Sequence, residues 1–196
     1  VLLPNPGFEQ AGGGKVDAFA AQGAAADALA GLPDGWSAYQ WGPDGSRFRV
    51  GVEKGAGHTG AGALRAENLD AAARGGVYTH VKLEPGAYEI SVWARAAKGK
   101  TARARIYLAT AYSRPLKVTE EWRRLVFRNS LDQGIERAEI NIQNATGEAG
   151  IVWFDDVEIR RTASARYEMA PDTRKDRPRT LLFSPMNVNY LRDTAK

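Results

Sequence analysis

Short runs of alternating apolar and polar residues recur along most of the chain. They begin with WSAYQW (36–41), RFRVGVE (47–53), GALRAEN (62–68), GVYTHVKLE (76–84) and AYEISVWAR (87–95). They continue with ARARIYLAT (102–110), RRLVFRN (123–129), RAEINIQN (137–144) and IVWFDDVEI (151–159). A period of two puts successive side chains on opposite faces of a strand. Turn residues separate the runs: GPDG, GAGHTG, EPG, KGK, DQG and ATGEAG. Short strands at this rhythm predict a β-sandwich or barrel, and a single candidate helix before residue 160 argues against βαβ repeats.

That candidate helix lies in 11–35, AGGGKVDAFAAQGAAADALAGLPDG, which is rich in Ala and Gly. Asp17 is placed to cap a short helix over 18–30, and the LPDG turn would end it. Its apolar face is mostly Ala, so the segment reads as a weakly docked insertion between the first strand and Trp36. The sandwich is expected over 1–162. The charged, proline-punctuated stretch that follows predicts a linker over 163–179. TLLFSPMNVNYLRDTAK (180–196) turns apolar again. It reads either as the start of a following domain, with Thr180–Phe183 as its first strand, or as a tail packed on the sandwich.

Composition narrows the function. A chain of 196 residues is long enough for one domain with a full core. The 27 basic and 23 acidic residues leave a net charge of +4, short of the footprint of a nucleic-acid binder. The absence of cysteine removes disulfide scaffolds, thiolate metal sites and cysteine nucleophiles. No apolar run is long enough to span a membrane. No signal peptide is visible at Val1, and the abrupt VLLPNPGFE reads as a processed or trimmed start. No phosphate loop, zinc motif or nucleophile elbow occurs. His58 and His80 have no second ligand at metal spacing. The NAT sequon at 144–146 lies in a turn and reads as incidental.

The first chemical oddity is WFDDVEI, 153–159. Asp is depleted in strands, yet two stand in the middle of this one. Alternation puts Trp153, Asp155, Val157 and Ile159 on one face and Phe154, Asp156 and Glu158 on the other. Val157 and Ile159 belong in the core, so Asp155 is expected to point inward, where a carboxylate needs a cation or several donors. NPGFE, near the other end of the chain, supplies Glu9. The two acids meet if the first and last strands are neighbours. Carboxylates with loop carbonyls are the ligand set of Ca²⁺. The alternative is a carboxylate held by backbone N–H groups or an arginine.

The second is a set of outward polar and aromatic residues. Tyr88, Ile90 and Val92 face the core, which turns Ser91, Trp93 and Arg95 out. Ile106 and Leu108 face in, which turns Arg103, Arg105 and Tyr107 out. Ile140 and Ile142 face in, which turns Glu139, Asn141 and Gln143 out. The short AAKGKT connection predicts that the first two strands form a hairpin in one sheet. With the third beside them, one surface would hold Trp93, Arg95, Arg105, Tyr107, Asn141 and Gln143. Rings offer a platform to the C–H face of a pyranose, and amides and guanidinium groups bind its hydroxyls. Outward aromatics also stabilise cross-strand pairs, which is the structural alternative. Tyr39, Trp41 and Tyr112 would wall the groove, while Trp36 and Trp122 belong to the core or its rim. Glu139 is the groove's one clear acid, whereas a glycosidase needs two carboxyls about 5–10 Å apart.

Taken in order, LLPNPGFEQ, PDGWSAY, GAGHTGAGALRAEN, GVYTHVKLEPGAYEISVWARA, EEWRRLVFRN and VWFDDVEI resemble carbohydrate-binding modules of the family 4, 9 and 22 group. The resemblance covers residues 2–160 apart from the insertion. It implies an all-β, jelly-roll sandwich of two antiparallel sheets with a ligand groove on the concave sheet. It implies a structural Ca²⁺ held by Glu9 and Asp155 with loop carbonyls, the GAGHTG loop (55–60) being the candidate source. Asp156 would then be exposed or hydrogen-bonded to a neighbouring loop. It also implies a polysaccharide partner, an attached catalytic domain such as a glycoside hydrolase, and a secreted or periplasmic location in a bacterium. Nucleic acid and membrane are not expected partners. The arginines Arg95, Arg103 and Arg105 depart from neutral grooves and point to an acidic glycan, or to a face packed on a catalytic partner. The other reading of the whole chain is a structural sandwich with no glycan binding of its own.

Overall fold

The computed structural model describes residues 3–10, 15–16, 31–41 and 47–162. The expected helix over 18–30, the linker 163–179, the segment 180–196 and the Trp41 side chain lie outside the described residues. Among the described residues there are strands and no helix. The strands are β1 (Lys15–Val16), β2 (Ser37–Trp41), β3 (Phe48–Lys54), β4 (Gly62–Asn68), β5 (Arg74–Leu83) and β6 (Gly86–Ala96). They continue as β7 (Ala102–Leu108), β8 (Ala111–Tyr112), β9 (Leu116–Val118), β10 (Arg123–Leu131), β11 (Ile135–Asn144) and β12 (Gly150–Thr162).

These form two sheets. A seven-stranded sheet runs β1-β2-β5-β11-β7-β8, with β9 also on β7, and a five-stranded sheet runs β10-β6-β12-β4-β3. All pairings are antiparallel except the short β1–β2 contact. The core between them is built from the apolar phases of the alternating runs. Tyr88, Ile90 and Val92 of β6, Ile106 and Leu108 of β7, and Ile140 and Ile142 of β11 are all buried. Trp36 joins this core, its ring 5.4 Å from that of Phe8 and its indole N–H donating to the Pro4 carbonyl.

The structure corrects two readings of the sequence. First, β6 and β7 do not share a sheet. Strand β6 already has β10 on one side and β12 on the other, so it has no free edge for β7. The AAKGKT connection therefore carries the chain from one layer to the other. Second, the face of Trp153 is inverted. Val152 and Phe154 are in the core, Trp153 is turned out, and Val157 and Ile159 are again in the core. The phase changes because the β12–β6 register shifts between Asp155 and Glu158, where Asp156 adopts a left-handed φ of 49°. One extra residue in a strand forms a bulge that swaps the faces on either side of it.

Asn144 ties the two sheets together. From β11 its amide donates to the Ala66 carbonyl of β4 and to the Gly150 carbonyl, and it accepts from the Thr146 N–H. The sequon asparagine is thus fully buried and its amide is occupied by the fold.

The bulge predicts an asymmetry between neighbours. Phe154→Ala should cost about 3–5 kcal/mol, as truncating a core aromatic does. Trp153→Ala should cost only about 1 kcal/mol, the scale of a surface cation–π contact. Urea unfolding of the two variants measures both, and the reverse order would contradict this facing.

Candidate functional site

The face of the seven-stranded sheet turned away from the core gathers most of the predicted ligand residues. Ser37 pairs with Tyr78, Tyr78 with Asn141, Asn141 with Tyr107, and Tyr107 with Tyr112. Directly paired residues point to the same side, so these form one line across five strands. A parallel line runs through Tyr39, Gly76, Gln143 and Arg105. Arg105, Tyr107, Asn141 and Gln143 are therefore brought together as the alternation implies. Tyr39 joins them, and Tyr78, which follows the same alternation inside GVYTHVKLE, was missed.

Tyr39 organises the centre of this face. Its hydroxyl lies 2.7 Å from Asn141 Oδ1 and 2.6 Å from Gln143 Oε1. Gly76, the residue paired with Tyr39, has no room for a Cβ, which would collide with the Ile142 carbonyl and Gln143. The phenol has one hydrogen, so it can serve one amide oxygen. The other amide is satisfied only by turning its NH₂ toward the phenol. Burial pushes the Tyr39 phenol well above its usual range, against the hydrogen bond to Asn141. Burial and then the Glu139 charge also push Tyr107 and Tyr112 up. All three are therefore neutral donors near pH 7. The Arg105 guanidinium stands 5.7 Å over the Tyr112 ring, and its buried Nε has no hydrogen-bond partner. Tyr112 itself is 52% exposed.

Trp93 and Arg95 are not part of this face. Both stand on β6 in the five-stranded sheet, so the single surface predicted from sequence is divided between two sheets. The failed hairpin is the cause. On β6, Trp93 stacks on His58 with centroids 3.9 Å apart and planes 18° apart. The Arg95 guanidinium lies 5.2 Å from the Trp122 ring and 4.6 Å from that of Trp153. Trp153 in turn donates its indole N–H to Glu53. Further along, Glu89 is only 2% exposed beneath Arg128, Arg160 and Arg124. The Arg128 hydrogen bond, with help from Arg160, holds its carboxyl below the usual range against the cost of burial. These aromatic and charged groups contact one another, with the buried Nε of Arg95 left without a hydrogen-bond partner.

The acids from the two ends of the chain both approach Gly7. Asp155 Oδ1 and Glu9 Oε1 each lie 3.7 Å from where a Cβ on Gly7 would stand. Asp155 is fully buried. Its Oδ2 accepts from the His58 and Thr59 N–H groups, and its Oδ1 from the N–H of Asp156. Glu9 Oε2 accepts from the Ala61 and Gly62 N–H groups. The 55–60 loop expected to offer carbonyls thus offers backbone donors to Asp155. Asp156 accepts from the Thr59 hydroxyl and lies 2.8 Å from His58 Nδ1. Burial raises the Asp155 carboxyl above its ordinary range, and no described cation forms an ion pair with it. Backbone N–H groups therefore hold this carboxylate, the alternative to a cation that the sequence left open. Among the described residues no three His, Cys, Asp or Glu side chains cluster for a metal, so a cation there would need carbonyls for the rest of its shell.

No family model matches the chain, and no curated protein matches it significantly. Solved structures do. The xylan-binding CBM22-1 domain of Paenibacillus barcinonensis Xyn10C is 20% identical, with a TM-score of 0.50 over 68% of this chain and 90% of its own. TmCBM61, solved in complex with β-1,4-galactotriose, is also 20% identical, with a TM-score of 0.50 over 82% of this chain and 97% of its own. At that identity the likeness is one of fold. The chain has the jelly-roll β-sandwich fold of carbohydrate-binding modules.

Proposed function

We propose that the chain is a non-catalytic module that takes a polysaccharide on the outer face of the seven-stranded sheet. It would hold an attached glycoside hydrolase or related enzyme near that substrate, outside the cell or in the periplasm. The observation that carries the reading is the line of Tyr78, Asn141, Tyr107 and Tyr112 beside Tyr39, Gln143 and Arg105. It combines ring platforms with amide and guanidinium donors on one surface, the chemistry a sugar ring and its hydroxyls need. That one similar structure is a xylan-binding domain and the other a complex with β-1,4-galactotriose supports the same class of partner. The two lines themselves carry no carboxylate, Glu139 standing one pair further along opposite His80, and this supports binding rather than the two-carboxyl chemistry of glycoside hydrolysis.

The proposal extends to a structural Ca²⁺ held by the Glu9 and Asp155 carboxylates, with backbone carbonyls completing its shell. The ion would neutralise the buried Asp155 and fasten the N-terminal segment to β12. Its supports are the approach of both acids to Gly7 and the lack of an ion-pair partner for Asp155 among the described residues.

Each half has its own test. Tyr107→Ala should weaken glycan binding by roughly thirty-fold, the consequence of losing an anchor worth about 2 kcal/mol. Trp93→Ala should bind as the unsubstituted protein does. Affinity electrophoresis across a panel of soluble polysaccharides reads both, and the opposite pattern would return the groove to the five-stranded sheet. For the metal, an ion that binds only the folded state stabilises it by about 2.7 kcal/mol at a hundred times its Kd. Chelator should therefore lower the melting temperature of protein shown to start calcium-loaded. An unchanged melting curve would sink the calcium site.

A further inference from the structure

We infer that the polysaccharide taken by the seven-stranded sheet is a uronic-acid polymer, its carboxylates read by a line of cations beside the tyrosines. This rests on the proposal that this sheet is the glycan face. The line follows from register. Arg103 pairs with Lys117 across β7 and β9, and Arg74 pairs with Trp41 across β5 and β2. Between them, Asn144 stands opposite both Gly75 and Ala104. The next residue, Ala145, donates its N–H to the Arg103 carbonyl and so sits between Arg74 and Arg103. Arg74, Arg103 and Lys117 thus share one line across the sheet.

Alternation fixes which face they occupy. Arg74, Gly76 and Tyr78 are in phase along β5, and Arg103, Arg105 and Tyr107 are in phase along β7. The cations therefore stand on the tyrosine face, about 13 Å along the strand from the Tyr78–Tyr107 line, with Arg105 midway. Among the described residues the acids of this face lie on the far side of the tyrosines: Glu139 pairs with His80, and Glu84 and Glu136 meet Lys82.

The decisive contrast is with the other sheet. There, Arg65, Arg124, Arg128 and Arg160 each meet a carboxylate. On the tyrosine face, none of Arg103, Arg105 and Lys117 has an ion-pair partner among the described residues, whereas Lys82 at the far end of β5 meets Glu84 and Glu136. The buried Nε of Arg105 is unmatched, as is that of Arg95 on the other sheet. Arg103, Arg105 and Lys117, gathered without counter-charges among the described residues, repel one another, and an anionic ligand relieves that repulsion. Guanidinium groups match carboxylates through paired N–H donors, and the tyrosine line supplies the stacking that a simple ion-exchange patch lacks.

The test uses polygalacturonate and alginate beside the same polymers with their carboxyls reduced to alcohols, in affinity electrophoresis at low and high salt. At least one acidic polymer should bind roughly tenfold or more tighter than its reduced form, and salt should erode that advantage. In the double variant Arg103→Gln/Lys117→Gln the ratio of acidic to reduced affinity should fall roughly tenfold. Tyr107→Ala should weaken the acidic polymer as well. Melting curves check that both variants fold. A reduced polymer that binds as tightly as its acidic parent overturns the inference and leaves the glycan face standing. Acidic binding that survives Tyr107→Ala also overturns it, because attraction to charge alone would then suffice. If no polymer of either kind binds, and a panel of neutral polysaccharides also fails, the glycan reading falls and takes this inference with it.

Discussion

Strand β12 runs through the middle of its sheet, and the extra residue at Asp155–Asp156 lets it bury apolar side chains at both ends. Without the bulge, a strand that buries Val152 and Phe154 would turn Val157 and Ile159 to solvent. Holding a non-glycine residue left-handed costs about 1–2 kcal/mol. That cost is offset by what the bulge recruits. Asp155 collects donors from the 55–60 loop, Asp156 meets His58 and Thr59, and the Val157 N–H donates to the Pro6 carbonyl. The N-terminal segment enters through Phe8, also left-handed at φ 52°, which buries its ring against Trp36 and sends Glu9 toward Ala61 and Gly62. One local irregularity thereby joins the start of the chain, a loop and its last described strand.

The two outer faces of the sandwich do different chemistry. On the five-stranded sheet, rings and charges are spent on each other: Trp93 on His58, Arg95 between Trp122 and Trp153, Glu89 under three arginines. Their ring faces and donors are largely used, which suits a surface that stabilises the sheet. On the seven-stranded sheet Tyr39 reaches both amides, Tyr107 and Tyr112 lie 4.5 Å apart, and Arg103, Arg105 and Lys117 have no ion-pair partner among the described residues. That surface retains the capacity to meet something else.

Much of this was legible in the sequence because a period of two survives in sequence alone. The facing of Ile90 and Val92, Ile106 and Leu108, and Ile140 and Ile142 followed from it, and so did the outward placement of Tyr107, Asn141 and Gln143. What alternation cannot supply is which strand lies beside which. A short connection between β6 and β7 fits a hairpin and a crossing between layers equally well, and only the occupied edges of β6 decide it. Trp93 and Arg95 were therefore read with the right facing and assigned to the wrong sheet. The inversion at Trp153 and Phe154 has a different origin. A bulge adds one residue without altering composition, and the paired acids in WFDDVEI were its only trace.

The central claim is that ligand is held by the tyrosine sheet, and side-chain NMR tests it most directly. In ¹H–¹⁵N spectra of the protein saturated with a uronic-acid oligosaccharide, the side-chain amides of Asn141 and Gln143 should shift. The indole N–H signals of Trp93, Trp122 and Trp153 should stay where they are. Shifts confined to those indoles, with the two amides unmoved, would place the ligand on the opposite sheet and contradict the account.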